Sequence, residues 1–478
     1  MSRTPLLATL LCALGLLLAA APAAAAPPLI TGVAGLDDYS PASFAEVKEA
    51  GARFVRVPVV WGGVAPPSPP AGWRPEDPAD PNYRFEEVDA AVSGAVASGL
   101  TPLVLVEGAP RWAEGCAPPH YAPGAVCEPD PAALGAFAKA LATRFSGDFG
   151  GLPRVRYWQG LNEPNLSQFF YPQFEGAAPR SPALYRELAT TFYDAVTAVD
   201  RSNVVVLGGL GPLAVPGFTV GPMRFLRELL CMRGRHRFRP LPGNCDGGVP
   251  FDALDLHPYT SGGPTHRGGP DDVELGDLAK LRRLLDAAER ARRIDGRFRR
   301  VALWVTEFAW DSNPPDPGGL AMPTLNRWTA EALHVAWQAG VSHFFWFPLR
   351  DQPRGRSFSQ TLQGGLYFQG PAAGQDEPKE ALRAFRFPFV AYPSRRGLEV
   401  WGRTPSSSPG RVSIQVRSGG HWRGIQALRA DRSGIFEGVV RTTYGRGRSG
   451  AARALYRGET SLAFSMRPVR DFPQPPFG

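Results

Sequence analysis

Residues 301–306, VALWVT, form the apolar run of a buried strand, and residues 324–339, TLNRWTAEALHVAWQA, continue with apolar residues at helical spacing. This succession of a strand-like run and a longer helical stretch recurs along residues 29–390. Strands that alternate with helices indicate a parallel sheet, because each helix returns the chain to the edge where the next strand begins. The pattern predicts an α/β fold.

The repeat occurs eight times along the sequence. The predicted strands are Leu29–Val33, Arg53–Pro58, Thr101–Val106, Val155–Gly160, Val204–Gly208, Ala253–His257, Val301–Thr306 and Ser342–Phe347. The predicted helices are Ser43–Ala50, Phe85–Ser98, Pro131–Phe145, Pro182–Asp200, Pro222–Met232, Val273–Arg293, Thr324–Ala339 and Glu377–Phe385. A (β/α)8 TIM barrel requires this strict alternation, and a doubly wound sheet is the competing fold. No glycine-rich phosphate-binding fingerprint follows the first strand, so we favour the barrel.

The sequence pattern changes after Phe389, where short β-prone segments alternate with Gly, Ser and Arg turns. These predicted strands are Gly397–Gly402, Val412–Arg417, Ile425–Ala430, Phe436–Val440 and Ala451–Tyr456. We therefore predict a barrel over residues 27–392 and a small C-terminal β-sandwich with an irregular tail over residues 393–478. Residues 412–438 resemble Ig-like modules appended to secreted bacterial proteins. We expect this domain to pack on the barrel rather than to bind sugar, with Trp422 in its core.

The first 26 residues have the layout of a secretory signal peptide. Arg3 precedes an apolar stretch from Leu6 to Ala21, and a run of small residues ends at Ala26. We expect export and cleavage near Ala26, which gives an extracellular or cell-wall-associated chain. An uncleaved anchor is the alternative, but the apolar stretch falls short of the roughly 20 residues that a membrane span needs. No later segment is long and apolar enough, so we expect no stable membrane insertion.

Four cysteines remain after removal of the signal peptide, an even number that suits an oxidising compartment. Their clustering favours the disulfides Cys116–Cys127 and Cys231–Cys245, although four cysteines allow three pairings. A metal site is the alternative, but no pair has the spacing typical of tetrahedral zinc sites.

The formal net charge is +8 over 478 residues, which is mild for this length. Basic residues cluster around residues 290–300, RARRIDGRFRR, where we expect a helix end to face solvent. Nucleic-acid binding therefore has little support, whereas a preference for acidic polymers stays open. The sequence does not indicate an oligomeric state.

Two predicted strand ends carry a glutamate. RVRYWQGLNEPN, residues 154–165, places Asn162 and Glu163 after strand four, and VALWVTEFAW, residues 301–310, places Glu307 after strand seven. The active site of a (β/α)8 barrel lies at the carboxyl ends of its strands, so both glutamates would face one cleft. Hydrolysis of a glycosidic bond with retention needs such a pair, about 5–5.5 Å apart. Ordinary surface carboxylates are the alternative, which would not explain why both follow apolar strands and precede Pro or aromatic residues.

The Asn162-Glu163-Pro164 element, together with Glu307 after strand seven, resembles the large clan of retaining (β/α)8 glycoside hydrolases, and the match spans the barrel. YWQGLNEPN, residues 157–165, is similar to the strand-four motif of the β-xylosidase and iduronidase family and of the cellulase-type family in that clan. The resemblance implies that Glu163 is the acid/base and Glu307 the nucleophile. It also implies that Asn162 binds the 2-hydroxyl of the sugar.

Other strand ends agree with this resemblance. LDLHPY, residues 254–259, puts His257 and Tyr259 where the clan often keeps groups that orient the nucleophile. A satisfied core histidine is the alternative for His257. Arg56 on strand two resembles the clan's arginine, a cation that favours the ionised nucleophile. The alternative role for Arg56 is an ion pair elsewhere in the protein.

Tryptophans near strand ends are candidates for sugar binding, because the apolar C–H face of a sugar packs on an aromatic ring. Trp346 in HFFWFPL, residues 343–349, resembles the aromatic floor of the cleavage site in the clan. Trp61, Trp112 and Trp310 lie just past strand ends and could line outer subsites or belong to the core.

The sequence thus predicts a secreted retaining glycosidase that cleaves O-glycosidic bonds of a polysaccharide or oligosaccharide by double displacement, without metal or organic cofactor. Gln159 and Leu161 depart from the residues of the most similar families, which leaves the sugar open. Glu107 at the end of strand three is a third carboxylate that could bind substrate or compete for a catalytic role. A catalytically silent glycan-binding protein of the bacterial surface and a transglycosylase are the alternatives.

Overall fold

Parallel strands form a closed barrel in the computed structural model, which describes residues 28–117, 124–242, 247–372, 374–442 and 450–475. The barrel strands are β1 (Ile30–Val33), β2 (Phe54–Val60), β3 (Thr101–Glu107), β4 (Tyr157–Gly160), β5 (Val204–Leu210), β6 (Ala253–Leu256), β7 (Ala302–Val305) and β8 (Val341–Trp346). Each strand pairs with the next along the chain, and β8 pairs with β1. The predicted TIM barrel is confirmed, with all eight predicted strands present.

Helices connect these strands and surround the barrel. They are α1 (Pro41–Glu49), the single turn α2 (Trp61–Val64), α3 (Glu86–Ala97), α4 (Pro131–Arg144), α5 (Ser181–Val199), α6 (Pro222–Leu229), α7 (Leu278–Arg290), α8 (Met322–Gln338) and α9 (Glu380–Arg386). Local sequence sets their starts. The Ser40 side chain accepts a hydrogen bond from the backbone N–H of Ser43 at 3.2 Å, and Asp130 accepts from Ala132 at 2.8 Å. The eight predicted helices are present, and α2 is an addition after β2.

Along each barrel strand, side chains alternate between the barrel interior and the surrounding helices. The interior layer consists of large and small apolar residues from six strands: Phe54, Leu103, Val206, Ala253, Trp304 and Phe345. His343 stacks on Trp304 in the same layer, with ring centroids 3.7 Å apart. This packed layer fills the barrel, so polar chemistry is confined to the mouth at the carboxyl ends of the strands.

Short elements in the loops add to the predicted pattern. Two-residue strand pairs join Val126–Cys127 with Phe170–Tyr171, Phe174–Glu175 with Ala178–Pro179, Met232–Arg233 with Arg239–Pro240, Ser312–Asn313 with Leu320–Ala321, and Tyr367–Phe368 with Glu377–Pro378. Single 3-10 turns span Arg111–Ala113, Leu275–Asp277 and Phe358–Gln360. These elements are too short to show a period in the sequence.

Two antiparallel sheets follow the barrel within the described residues. The three-stranded sheet has the order β9 (Phe389–Ser394), β10 (Gly397–Arg403), β13 (Ile435–Val440). The five-stranded sheet has the order β12 (His421–Ala430), β11 (Gly410–Ser418), β14 (Ala451–Tyr456), β15 (Glu459–Thr460), and β16 (Phe464–Ser465) also pairs with β14. A C-terminal β-domain is therefore confirmed, with β9, β15 and β16 as added strands, while the boundary at residue 392 stays a prediction.

Trp422 lies outside the core of this domain, which corrects the expectation from the sequence. It is half-buried on β12, and the guanidinium of Arg453 lies 4.4 Å over its ring. The buried face of the five-stranded sheet is filled by aliphatic residues such as Val412 and Ile414 of β11. Since side chains alternate along a strand, Trp422 occupies the opposite, outer face.

Arg403 at the end of β10 joins the C-terminal sheets to the barrel. Its side chain is completely buried. The guanidinium donates to Thr31 Oγ1 at 2.8 Å and to the carbonyl oxygens of Leu29 at 3.4 Å and Phe385 at 3.2 Å. It therefore links β10 to the first barrel strand and to α9.

One predicted disulfide is confirmed: Cys116 and Cys127 are bonded, with Cα atoms 5.3 Å apart. The second predicted pair includes Cys245, which lies outside the described residues. The predicted signal peptide, residues 1–26, also lies outside them. None of the described helices has the length and apolarity that a membrane span requires.

Candidate active site

A polar layer covers the apolar interior of the barrel. Arg56 on β2 and Asp255 on β6 each lie two residues beyond an interior residue, Phe54 and Ala253 respectively. Residues two apart on a strand share a face, so both polar side chains point inward. This layer forms the floor of the candidate active site.

Arg56 organises the polar layer. Its residue exposure is 4%, and its guanidinium donates to Gln159 Oε1 at 3.0 Å, Asn162 Oδ1 at 2.9 Å and Glu307 Oε1 at 2.5 Å. These bonds span the mouth from β2 to the ends of β4 and β7. The rigid fork of an arginine suits such a bridging role. The structure thus brings the predicted pair of Arg56 and Glu307 together.

Glu307 is held through both carboxylate oxygens. Oε1 accepts from Arg56, and Oε2 accepts from the Tyr259 hydroxyl at 3.1 Å. Burial and the negative charges of Glu307 and Glu163 raise the pKa of Tyr259 well above its usual value, so the phenol keeps its proton and remains a donor. The Glu307 side chain is 12% exposed and is therefore fixed in orientation while still reaching the cleft.

Glu163 contacts His257, which lies between the two carboxylates. Nδ1 of His257 is 2.9 Å from Oε1 of Glu163 and 3.6 Å from Oε2 of Glu307. Its Nε2 is 3.1 Å from the Thr306 hydroxyl, which donates its own hydrogen to Asp255. The threonine oxygen therefore accepts from Nε2–H, and Nδ1 is left to share a proton with Glu163.

The pKa values of both partners in the contact between Glu163 and His257 are raised. Burial raises the pKa of Glu163, and the hydrogen bond from His257 offsets this only in part. Burial by itself would lower the pKa of His257, but the charge of Glu307 and the hydrogen bonds to Asp255 and Glu163 raise it to about 10. Glu163 is thus placed to deliver a proton, as a general acid must.

The backbone after β4 turns so that two consecutive side chains reach the mouth. The φ angle is +64° at Leu161 and +40° at Glu163, both in the left-handed region. In a regular strand Asn162 and Glu163 would face opposite sides. Here Asn162 bonds Arg56 while Glu163 bonds His257. Non-glycine residues in this region cost about 1–3 kcal/mol each and cluster at functional sites.

Glu107 at the end of β3 is a third carboxylate in the mouth. Burial raises its pKa to about 7, while the charge of Arg56 lowers it and that of Glu307 raises it further. Gly124 covers it, since a Cβ at Gly124 would lie 2.9 Å from the Glu107 carboxyl carbon. Among the described residues the Glu107 carboxyl has no hydrogen-bond partner. A partly buried carboxyl of this kind is available to a hydroxyl of a ligand.

No protein-family model matches the sequence, and no curated protein matches it. Solved structures do match. A family 39 glycoside hydrolase from Bacteroides cellulosilyticus WH2 has a TM-score of 0.54 and 17% identity, with 87% of this chain and 81% of that chain covered. A monomeric β-xylosidase from Caulobacter crescentus CB15 has a TM-score of 0.51 and 15% identity, with 87% and 95% covered. The chain shares the fold of these glycoside hydrolases.

Three of the tryptophans predicted to bind sugar lie away from the polar layer. Trp61 is buried and stacks on Phe137 of α4, with ring centroids 5.5 Å apart. Trp112 is half-buried, and its ring lies edge-on to Trp61. Trp310 is completely buried, and its N–H donates to the carbonyl of Gly262 at 3.1 Å. Trp61 and Trp310 are therefore core residues without a face for a sugar.

Trp346 also lies outside the cleft, which corrects its predicted role as the aromatic floor. It is completely buried, packs on Phe385 of α9 at 5.8 Å between ring centroids, and donates its N–H to Gly364 at 2.6 Å. Strand alternation is the reason, because Phe345 fills the interior and its neighbour must point outward. Phe347 follows the end of β8 and is half-buried, and its ring lies against Gly35 after β1, where an added Cβ would come within 2.5 Å of it.

The strand-end motifs do not predict two side chains of the polar layer, Asp255 and Thr306. They identify Gln159 only as a difference from the most similar families. Gln159 Nε2 donates to Asp255 Oδ2 at 2.7 Å, and the backbone N–H of Thr306 donates to Asp255 Oδ1 at 2.8 Å. A sequence signal exists, because Asp255 lies two residues before His257 and so shares its face.

Metal binding has no candidate cluster in the described ranges, where no group of three or more His, Cys, Asp or Glu side chains could hold an ion. Asp255 is completely buried, and its oxygens accept hydrogen bonds from Gln159 and Thr306. It therefore serves as an acceptor that orients the Thr306 hydroxyl under His257.

Proposed function

We propose that the chain is a secreted retaining glycoside hydrolase in which Glu163 is the acid/base and Glu307 the nucleophile. The spacing of the carboxylates carries this proposal. Oε1 of Glu163 and Oε2 of Glu307 lie 2.9 Å and 3.6 Å from the same His257 nitrogen, so they are no more than 6.5 Å apart. This upper bound accommodates the separation of about 5–5.5 Å at which retaining enzymes hold their two carboxyl groups.

In the first step, Glu163 donates its proton to the glycosidic oxygen. Glu307 attacks the anomeric carbon as the bond to that oxygen breaks, which gives a glycosyl ester of Glu307 and a free alcohol. Arg56 and Tyr259 keep the attacking carboxylate in one orientation through a bond to each oxygen. Such fixed geometry avoids the cost of ordering the nucleophile during the reaction.

In the second step, Glu163 acts as a base. It takes a proton from water, whose oxygen attacks the anomeric carbon and displaces Glu307, so the released sugar keeps its configuration. Asn162 accepts from Arg56 through Oδ1, which leaves its amide N–H groups to bind the sugar 2-hydroxyl. This contact strengthens in the transition state. No step requires a metal ion or an organic cofactor.

The proposed substrate is an O-linked polysaccharide or oligosaccharide. The fold shared with a family 39 glycoside hydrolase and a β-xylosidase supports a carbohydrate. In the cleft, Glu107, whose carboxyl has no hydrogen-bond partner among the described residues, would accept hydrogen bonds from sugar hydroxyls, and Phe347 would contact the apolar face of the ring. Secretion is supported by the layout of residues 1–26 and by the Cys116–Cys127 disulfide, which suits an oxidising compartment.

The test is to incubate the mature chain and its Glu307→Ala variant with a panel of aryl glycosides and polysaccharides and to follow sugar release. We expect release by the wild type alone. Glycan binding without release by the wild type across the panel would point to the glycan-binding alternative. New oligosaccharides in place of free sugar would point to transglycosylation, in which a sugar hydroxyl replaces the water of the second step.

A further inference from the structure

Positive charge is concentrated in the C-terminal part of the chain. Residues 393–478 contain 15 arginines, no lysine and 5 acidic residues, a net charge of +10, whereas the whole chain carries +8. Residues 1–392 therefore sum to −2. A charge asymmetry of this size indicates an electrostatic partner for the C-terminal domain rather than for the barrel.

The strand register gathers several of these arginines on one face of the five-stranded sheet. Arg411 of β11 is opposite Arg429 of β12, and Arg417 is opposite Trp422. Arg453 of β14 is opposite Gln415 of β11. Residues opposite each other in antiparallel strands share a face. We call the surface made by Arg411, Arg417, Trp422, Arg429 and Arg453 the arginine face.

The arginine face points away from the core. Alternate residues of β11, such as Val412, Ile414 and Val416, are completely buried on the other face of the sheet. Arg411, Arg417 and Arg429 are exposed, and Trp422 and Arg453 are half-buried. From Arg411 to Arg417 the face extends roughly 20 Å at about 3.3 Å per residue.

The arginine face carries four positive charges. In the part of the chain that the structure describes, none of its four guanidinium groups forms an ion pair with a carboxylate. Arg453 donates to the neutral Gln415 side chain at 2.8 Å and lies over the ring of Trp422. By contrast, barrel arginines such as Arg144 and Arg282 are paired with carboxylates. Surface arginines without a carboxylate partner favour an anionic ligand.

We propose that the arginine face binds an anionic polysaccharide, one that bears carboxylate or sulfate groups. Each guanidinium can bind such a group through two parallel hydrogen bonds. The half-buried ring of Trp422 offers an apolar surface to a sugar ring between the charged contacts. The choice of a polysaccharide over other polyanions rests on the proposed glycosidase function of the barrel. The domain would then hold the enzyme on its substrate or on a neighbouring polymer.

The test measures binding of the full mature chain to immobilised polygalacturonate, with neutral dextran as reference, at 50 and 300 mM NaCl. We expect binding to polygalacturonate that weakens at higher salt because the contacts are ionic. Arg411→Ser with Arg429→Ser should weaken binding at least tenfold, and Trp422→Ala severalfold. Arg411→Lys with Arg429→Lys should retain part of the binding, since it keeps the charge but loses the fork.

The matched control is Arg299→Ser with Arg300→Ser, which removes the same charge from exposed positions between α7 and β7. It should bind as the wild type does. The proposal is overturned by absence of binding to polygalacturonate at 50 mM NaCl, by equal losses in the control and the face variant, or by tighter binding to duplex DNA or phosphatidylglycerol vesicles. Binding needs no turnover, so failure here leaves the glycosidase proposal standing, and an inactive barrel would not abolish binding.

Discussion

Glu163 and Glu307 meet at one histidine but differ in their other contacts. Glu307 bonds Arg56 and Tyr259, whereas Glu163 bonds His257. Burial raises the pKa of Glu163, which suits a proton donor, whereas the Arg56 guanidinium places positive charge directly beside Glu307. The assignment of nucleophile and acid at the residue scale rests on this difference, and it makes the two glutamates distinguishable by experiment.

Glu307→Ala should lower the hydrolysis of an activated aryl glycoside by on the order of 10⁴-fold or more. Azide should then restore turnover, because the anion fits the vacated space and attacks the anomeric carbon directly. The expected product is a glycosyl azide of inverted configuration, identified by NMR. In Glu163→Ala, azide should instead replace water in the second step and give the retained anomer. A retained azide from Glu307→Ala and an inverted azide from Glu163→Ala would make Glu163 the nucleophile and Glu307 the acid/base.

The basic limb of the pH profile should belong to Glu163. A general acid must carry its proton, so kcat/KM should fall as pH rises through the raised pKa of Glu163. The hydrogen bond from His257 lowers that pKa, so His257→Ala should move the basic limb to higher pH. His421→Ala, at an exposed position on β12, serves as the control and should leave the profile unchanged. A shift of the limb to lower pH would contradict the assignment.

Glu107→Gln should weaken substrate binding. A hydrogen bond to a charged group contributes about 1.5–3 kcal/mol, so KM should rise by about ten- to a hundredfold. The pKa of Glu107 is about 7, so the difference from the wild type should grow above that pH, where the wild-type carboxylate is ionised. The measurement is kcat and KM as a function of pH, with a substrate from which the wild type releases sugar. A fall in kcat at constant KM would place Glu107 in the chemistry instead.

At the scale of strands and helices, alternation along each strand decides which residues reach the mouth. The positions of Glu163 and Glu307 at the mouth could be predicted from the sequence because both residues follow predicted barrel strands at the end where barrel sites lie. Asp255 lies within a strand, and it can be predicted as a site residue only when its side chain is known to point into the barrel. The predicted role of Trp346 at the sugar is wrong because its motif identifies the end of the strand but not whether the side chain points into the barrel or toward the helices. The strand β9 was missed because it follows α9 closely and continues the same apolar stretch.

The neighbours Trp346 and Phe347 provide a matched test of this alternation. Phe347→Ala should raise KM by about two- to twelvefold, the equivalent of an aromatic contact of about 0.5–1.5 kcal/mol. Trp346→Phe should leave KM unchanged and lower the melting temperature, because it leaves a cavity beside α9. Kinetics and thermal melting of both variants show which of the two side chains contacts the substrate. A higher KM in Trp346→Phe alone would restore its predicted role at the sugar.

At the scale of the whole molecule, the barrel and the C-terminal sheets share a buried boundary. Arg403 of β10 inserts its guanidinium between β1 and α9. On the same sheet, Trp401 lies 5.0 Å from His334 and 5.6 Å from Trp337 of α8 between ring centroids. Contacts of this kind couple the stability of the two parts, because neither surface is suited to water.

The full chain should therefore unfold in a single calorimetric transition. Arg403→Ala should lower its melting temperature, because unpaired acceptors left in a buried site cost about 1–3 kcal/mol. Arg411→Ala, at an exposed position on β11, is the control and should melt as the wild type does. Two separate transitions in the wild type would show that the domains unfold independently.

The absence of lysine beyond residue 392 has a practical consequence for orientation at surfaces. All four lysines of the chain, Lys48, Lys139, Lys280 and Lys379, belong to the barrel, and Lys379 is buried. Reagents that couple to amines therefore attach the protein through its barrel or its amino terminus and leave the guanidinium groups unmodified. Immobilisation through amines would therefore leave the arginine face accessible to polymers in solution.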